Sequence, residues 1–187
     1  MDAFQRSYDL LVKLEDQRGQ AMVLNSLGGV FQRQGKFDDA VDAFQRSYGL
    51  LVKLEDQRGQ AMVLNSLGGV FRRQEKFDEA FNALHLSCDI GEKLNDKRHL
   101  AMVHTSMGNA LLSKGDIEEA AIELRKGFEI DEKLKNRRGI SIVTPPLIKA
   151  FSRLNQHNQA IIYCQRALSV APNDKRLLKL YNQLTEF

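Results

Sequence analysis

Residues 3–34 return as residues 43–74, with changes only at Asp9/Gly49 and Gln32/Arg72. The copies lie 40 positions apart, and the same register persists in weaker form to the C-terminus. A unit of this length cannot bury its apolar face alone, so neighbouring units must cover it. The chain is therefore expected to fold as a stacked array rather than around one central core.

Each unit reads as two helices. Asp16, Asp56, Asp96 and Asn136 recur every 40 residues, and all are strong N-cap types for a first helix. Apolar residues follow at helical spacing: Ala21, Leu24, Leu27 and Phe31, then Ala61, Leu64, Leu67 and Phe71. Gly35 and Gly115 suit the left-handed position past the helix end, where Glu75 and Asn155 stand in the other units. A second helix is expected to start near Phe37, Phe77, Ile117 and His157 and to end around Leu54, Leu94 and Leu134. Its buried face carries Ala40, Phe44, Tyr48 and Leu51. Turns this short make neighbouring helices antiparallel. Gly28, Gly68 and Gly108 recur inside the first helix, each costing about 1 kcal/mol against alanine. Close approach of the second helix at Ala40, Ala80 and Ala120 is the expected offset.

Composition narrows the function classes. The chain is 43% hydrophobic and 27% charged, which marks a folded chain rather than a disordered one. Its 27 basic and 24 acidic residues are too balanced to indicate a nucleic-acid partner. No apolar run reaches membrane-spanning length. Cys88 and Cys164 fall at different repeat positions inside expected helices, which fits a reducing cytoplasm.

Leu24, Leu27-Gly28, Phe31, Gly35, Phe37, Ala40 and Phe44 together resemble the tetratricopeptide repeat. The second unit matches through Leu64, Leu67-Gly68, Phe71, Phe77 and Ala80. The third matches through His104, Met107-Gly108, Leu111, Gly115, Ile117, Ala120 and Leu124, while the fourth keeps Phe151 and Ala160 but has Ile148 at the glycine position. The 40-residue spacing is longer than the family's usual unit of about 34. It is similar to the extended repeats of kinesin light chains, Pins/LGN-type scaffolds and bacterial signalling-ATPase arrays. The resemblance implies an all-α, right-handed superhelical solenoid of antiparallel helix pairs, with about ten helices. The expected boundaries are an orphan second helix at 1–15, repeats at 16–55, 56–95 and 96–135, a divergent repeat at 136–171, and a capping helix at 172–187.

In that family the first helices line a concave wall that receives peptides. Carried over by register, the first repeat brings Met22, Asn25, Ser26, Gly29, Gln32 and Arg33 to the wall. The second brings Met62, Asn65, Ser66, Gly69, Arg72 and Arg73. The divergent repeats bring Met102, Thr105, Ser106, Asn109 and Ser113, then Lys149 and Arg153. Arginine pairs well with carboxylates, so a partner segment of acidic character is expected. Only Asn109 matches the lysine-and-asparagine pattern of relatives that clamp a C-terminal carboxylate.

Two places break the pattern. Thr144-Pro145-Pro146 falls inside the fourth first helix, where proline removes a ladder bond. The expectation is a restart at Pro145 with Thr144 as N-cap, leaving residues 139–143 as a separate turn. At the start, Asp2-Ala3-Phe4 matches Asp42-Ala43-Phe44, the middle of a repeat. This predicts an excised fragment with an added Met1, and a helix whose Phe4, Tyr8 and Leu11 face lacks one neighbour. Self-association through residues 1–15 follows as an expectation. At the other end Asn173 or Asp174 caps a last helix to about Thr185.

Chemistry is scarce. His85, His99, His104 and His157 have no metal-ligand spacing; His85 and His99 are expected on the surface, with His104 and His157 at apolar repeat positions. Leu27-Gly28-Gly29 sits mid-helix without the Lys-Ser/Thr of a phosphate loop. No nucleophile stands beside a base. The reading is a non-enzymatic scaffold, without cofactor or metal, that binds a protein or peptide. The alternatives are a sensor segment of a larger signalling protein and a self-assembling array.

Overall fold

The computed structural model describes the backbone of residues 2–186 and the side chains of residues 6 and 8–186. Ten α-helices and no strand are present among the described residues. The chain divides into two compact units between Leu94 and Asn95. The first holds α1 (Asp2–Lys13), α2 (Gln17–Arg33), α3 (Phe37–Lys53), α4 (Gln57–Arg73) and α5 (Phe77–Lys93). The second holds α6 (Lys97–Lys114), α7 (Ile117–Lys133), α8 (Arg137–Arg153), α9 (His157–Val170) and α10 (Lys175–Thr185). Phe4 of the expected α1 face lies outside the described side chains, while Tyr8 and Leu11 are half-buried.

The tight turns have a local cause. The Asp56 N–H donates to the Leu51 carbonyl (3.0 Å) and closes α3, while its carboxylate accepts from the Gly59 N–H (2.9 Å) and opens α4. One residue thus ends one helix and starts the next. Asp16 repeats this between Leu11 and Gly19. The geometry needs one left-handed residue ahead of the cap. Glycine fills such positions at Gly35 and Gly115, but Glu15, Glu55, Glu75, Asn95, Lys135 and Asn155 also adopt φ of 50° to 60°. The two carbonyl bonds of the C-terminal motif outweigh a cost of about 1 kcal/mol for each side chain.

Asn136 departs from expectation. It makes no side-chain cap; its Nδ2 donates to Asp131 Oδ1 at 2.6 Å. Asp131 stands where Leu51 stands in the first unit, and it is 3% exposed against Gly139. Burial pushes its carboxyl up, partly offset by the Asn136 bond. The amide is drawn to the buried acid because an unpaired carboxyl there costs more than a missing cap.

The internal glycines open space for a side chain rather than for the alanines alone. A Cβ at Gly28 would lie 2.8 Å from the Phe44 ring, at Gly68 2.6 Å from Leu84 Cγ, and at Gly108 2.4 Å from Leu124 Cγ. The alanine backbone comes next, with the Ala120 carbonyl 3.1 Å from the Gly108 Cβ position. In the last pair the sizes reverse: Ile148 and Cys164 take these two places, both buried. A large residue on the first helix meets a smaller one on the second. Burial pushes the Cys164 thiol up to about 11, so it stays protonated.

The helix α8 runs unbroken through Pro145 and Pro146, contrary to the expected restart. Thr144 is fully buried and its hydroxyl donates back to the Ile140 carbonyl (2.7 Å) rather than capping forward. The prolines withdraw partners from the carbonyls of Ser141 and Ile142. Ile142 is 55% exposed, Ser141 is half-buried and Pro145 is exposed, so water can reach this flank. The opposite flank carries Ile140, Val143 and Leu147 at 0% exposure, and that burial holds the helix together.

His99 is buried at 6% rather than exposed, and His157 is exposed. His104 replaces the leucine of the first two repeats and bonds Glu123 at 2.7 Å; Lys126 reaches the other Glu123 oxygen at 2.7 Å. Burial disfavours the Glu123 carboxylate, but these two partners outweigh it and hold its pKa below the usual range. A depressed carboxyl contributes stability above its unfolded pKa and loses it as pH falls through the folded one. The contribution is therefore full above the ordinary glutamate range and is lost as pH falls through the lowered folded value. Glu123→Gln should flatten this acid limb of the unfolding free energy, measured by urea titration across pH.

Candidate interaction surface

In the first unit α2 and α4 lie side by side over α3. Gln32 covers Gly69, where a Cβ would come 3.3 Å from its Nε2. Toward the N-terminal ends of α2 and α4 a cleft of about 330 Å³ opens. Arg18, Met22, Asn25 and Ser26 of α2 form one side, Arg58 and Met62 of α4 the other, and Ser47 and Leu51 of α3 contribute beneath. Met22 and Met62 are 65% and 47% exposed. Arg18 crosses to the Asp56 carboxylate at 3.3 Å.

The sequence-derived wall residues separate into distinct roles. Asn25 lines the cleft. Gln32 and Asn65 are half-buried between helices, and Asn65 Oδ1 is a buried acceptor without a hydrogen bond. Arg33 is exposed. Arg72 is half-buried; burial lowers its pKa first, and the Arg73 charge lowers it further. Asn109 is half-buried and Lys149 exposed in the second unit.

Three expected wall residues make structural contacts. Thr105 is buried at 7%, and its hydroxyl donates to the Ala101 carbonyl at 2.9 Å. Ser47 and Ser87 serve the equivalent Ala21 and Ala61 carbonyls at 2.8 Å from the second helix. The third repeat has Gly127 there, so Thr105 supplies the missing donor from the first helix. Arg73 donates to the Gln32 carbonyl (3.3 Å) and stacks 5.4 Å from the Phe37 ring centre. Arg153 reaches the Leu112 carbonyl at 3.5 Å in the same register. Both arginines close the C-terminal end of the preceding first helix.

One repeated signal was missed in reading residue types singly, and a second, the methionine register, was not extended to Ile142. Helices α2, α4, α6 and α8 contain twelve lysines and arginines and no aspartate or glutamate. Their nearest acids are the N-caps Asp16, Asp56 and Asp96. Helices α3, α5 and α7 carry most of the acids, six of them on α7 alone. Met22, Met62, Met102 and Ile142 also share one register, and each is 43% to 65% exposed. Counting charge and apolar exposure by helix, rather than over the chain, finds both.

Models of the tetratricopeptide repeat match residues 23–58, 59–133 and 149–174. The chain belongs to the tetratricopeptide repeat family. Among solved structures, a Rap protein complexed with Competence and Sporulation Factor superposes with a TM-score of 0.86 at 16% identity, covering 99% of this chain and 52% of that one. The apo form of RapI gives 0.82 at 18%, covering 98% and 52%. BtubC (BKLC) from P. vanneervenii gives 0.71 at 15%, covering 83% and 65%. The chain thus spans about half the length of the Rap structures and under two thirds of BtubC. No curated protein sequence matches it.

Within this tetratricopeptide chain, α2, α4 and α6 hold arginine, methionine and amide groups and α3, α5 and α7 carry acids, whereas α8 has neither methionine nor amide and α9 has no acid. None of the helices among the described residues is long and apolar enough to cross a membrane.

Proposed function

We propose that this tetratricopeptide chain is a protein-interaction module whose first-helix face receives an acidic segment of a partner, seated by an apolar side chain. One observation carries the reading: α2 and α4 of the first unit hold five cations and no acid, beside the exposed Met22 and Met62. Such a surface attracts carboxylates and repels other cations, while flexible methionine adapts to varied apolar groups. A Rap neighbour solved with Competence and Sporulation Factor is consistent with a binding role for this fold. The donors and apolar contact that the face offers support a binding role.

Arg33, exposed on α2, and Arg58, exposed at the cleft on α4, test it. Binding of fluorescent peptides that alternate glutamate with leucine should weaken about tenfold in the Arg33→Glu, Arg58→Glu chain, or about 1.4 kcal/mol. It should also weaken steeply with salt. An unchanged affinity, with the helical circular dichroism intact, would sink the proposal.

A further inference from the structure

The outer face of α5 carries the chemistry that the α2–α4 cleft is built to accept. Asp78, Glu79, Asn82, Leu86, Asp89 and Glu92 are all exposed along one side of that helix, which also carries exposed His85 and the single cation Lys93 at its end. Leu86 is 53% exposed at the centre of this acidic row. The cleft offers Met22 and Met62 for an aliphatic side chain, with Arg18, Arg58 and the Asp56 carboxylate that Arg18 meets beside them. Its volume of about 330 Å³ holds a leucine side chain. Both surfaces belong to the first unit, but on different helices. We propose that the α2–α4 cleft of one copy docks the α5 outer face of a second copy, with Leu86 between the methionines and the flanking carboxylates against the arginines.

This inference rests on the reading that the first-helix face accepts acidic groups. The interface is heterologous: the donor's own cleft stays open and its acceptor's α5 stays exposed, so association proceeds head to tail. Apolar contact alone is small, hence assembly is weak and depends on charge. Low salt favours it, and salt that shortens the Debye length from about 10 Å to a few Å dissolves it. It also competes directly with an acidic partner peptide for the same cleft.

Sedimentation velocity over a concentration series of the full chain, at low and high salt, gives the test. The expected result is a mass that rises with concentration in low salt and returns to one copy in high salt. Leu86→Ala with Asp89→Lys should abolish the rise, because these residues lie outside the cleft. The same variant should bind a glutamate–leucine peptide as the parent does. A chain that stays single at every concentration in low salt, yet binds that peptide, overturns self-docking and leaves the cleft reading standing. If neither copies nor peptide bind, both fall. Association that the α5 variant leaves intact also overturns the proposal and assigns the contact to another surface.

Discussion

Replacing Gly108 with isoleucine will destabilise the second unit by about 3 kcal/mol or more, and the added change Leu124→Cys will recover much of the loss. A Cβ at Gly108 would lie 2.4 Å from the Leu124 Cγ and 3.1 Å from the Ala120 carbonyl. The near atom is a branch carbon of a fully buried leucine, and the next is backbone, so neither can swing aside cheaply. Overpacking of this kind costs about 1–3 kcal/mol for small insertions, and isoleucine adds more than one carbon. The helix gains about 1 kcal/mol when glycine is lost, which leaves alanine mildly destabilising and isoleucine severely so. The last pair of the chain shows the alternative solution, with Ile148 on the first helix and Cys164 on the second. A urea-denaturation double-mutant cycle on Gly108 and Leu124 checks it. A coupling near zero would show that the two positions do not share the space.

Phe128→Ala will cost about 4 kcal/mol, well above the cost of Tyr48→Ala at the same repeat position. Phe128 is 0% exposed and meets the Tyr163 ring edge-on, with centres 5.1 Å apart. Tyr163 leans on Phe151 at 5.3 Å. Arg166 covers Phe128 and Tyr163 at 5.2 and 4.6 Å, held by two bonds to the Glu132 carboxylate at 2.9 and 2.6 Å. Those bonds, against some burial cost, raise the Arg166 pKa, so its charge is constant in the accessible range. Removing the ring opens a cavity and leaves the guanidinium with less to stack on. Tyr48 is only half-buried, and its loss can be filled by water or by neighbouring chain. Thermal or urea unfolding of the two variants gives the comparison; equal losses would remove the aromatic cluster from the account.

The candidate surface was only partly legible. Register placed Met22, Asn25 and Met62 on the cleft, because a helical period fixes which side chains share a face. It did not foresee the structural contacts of Thr105, Arg73 and Arg153, because Arg73 and Arg153 meet carbonyls about 40 residues away in sequence and Thr105 packs beside Gly127, about 20 away. Thr105 is buried because Gly127, opposite it, cannot supply a hydroxyl. The arginines are occupied because the preceding helix ends beside them. Register cannot report what a neighbouring helix places beside a side chain.

The sequence by itself determined the helix pairs and their starts and stops. The near-identical copies at 3–34 and 43–74 fix the period, and local capping at Asp16, Asp56, Asp96 and Asp174 fixes where first helices and the last helix begin. These are interactions between residues two or three apart, readable one turn at a time. Tertiary structure alone decided the continuity of α8 through its prolines, the diversion of Asn136 to Asp131, and the exchange of Gly–Leu for Ile–Cys packing. In each case burial against another helix outweighed a local preference. Local terms are worth about 1 kcal/mol apiece, except proline at about 3. A buried face of several aliphatic residues, or an unpaired buried carboxylate, exceeds them.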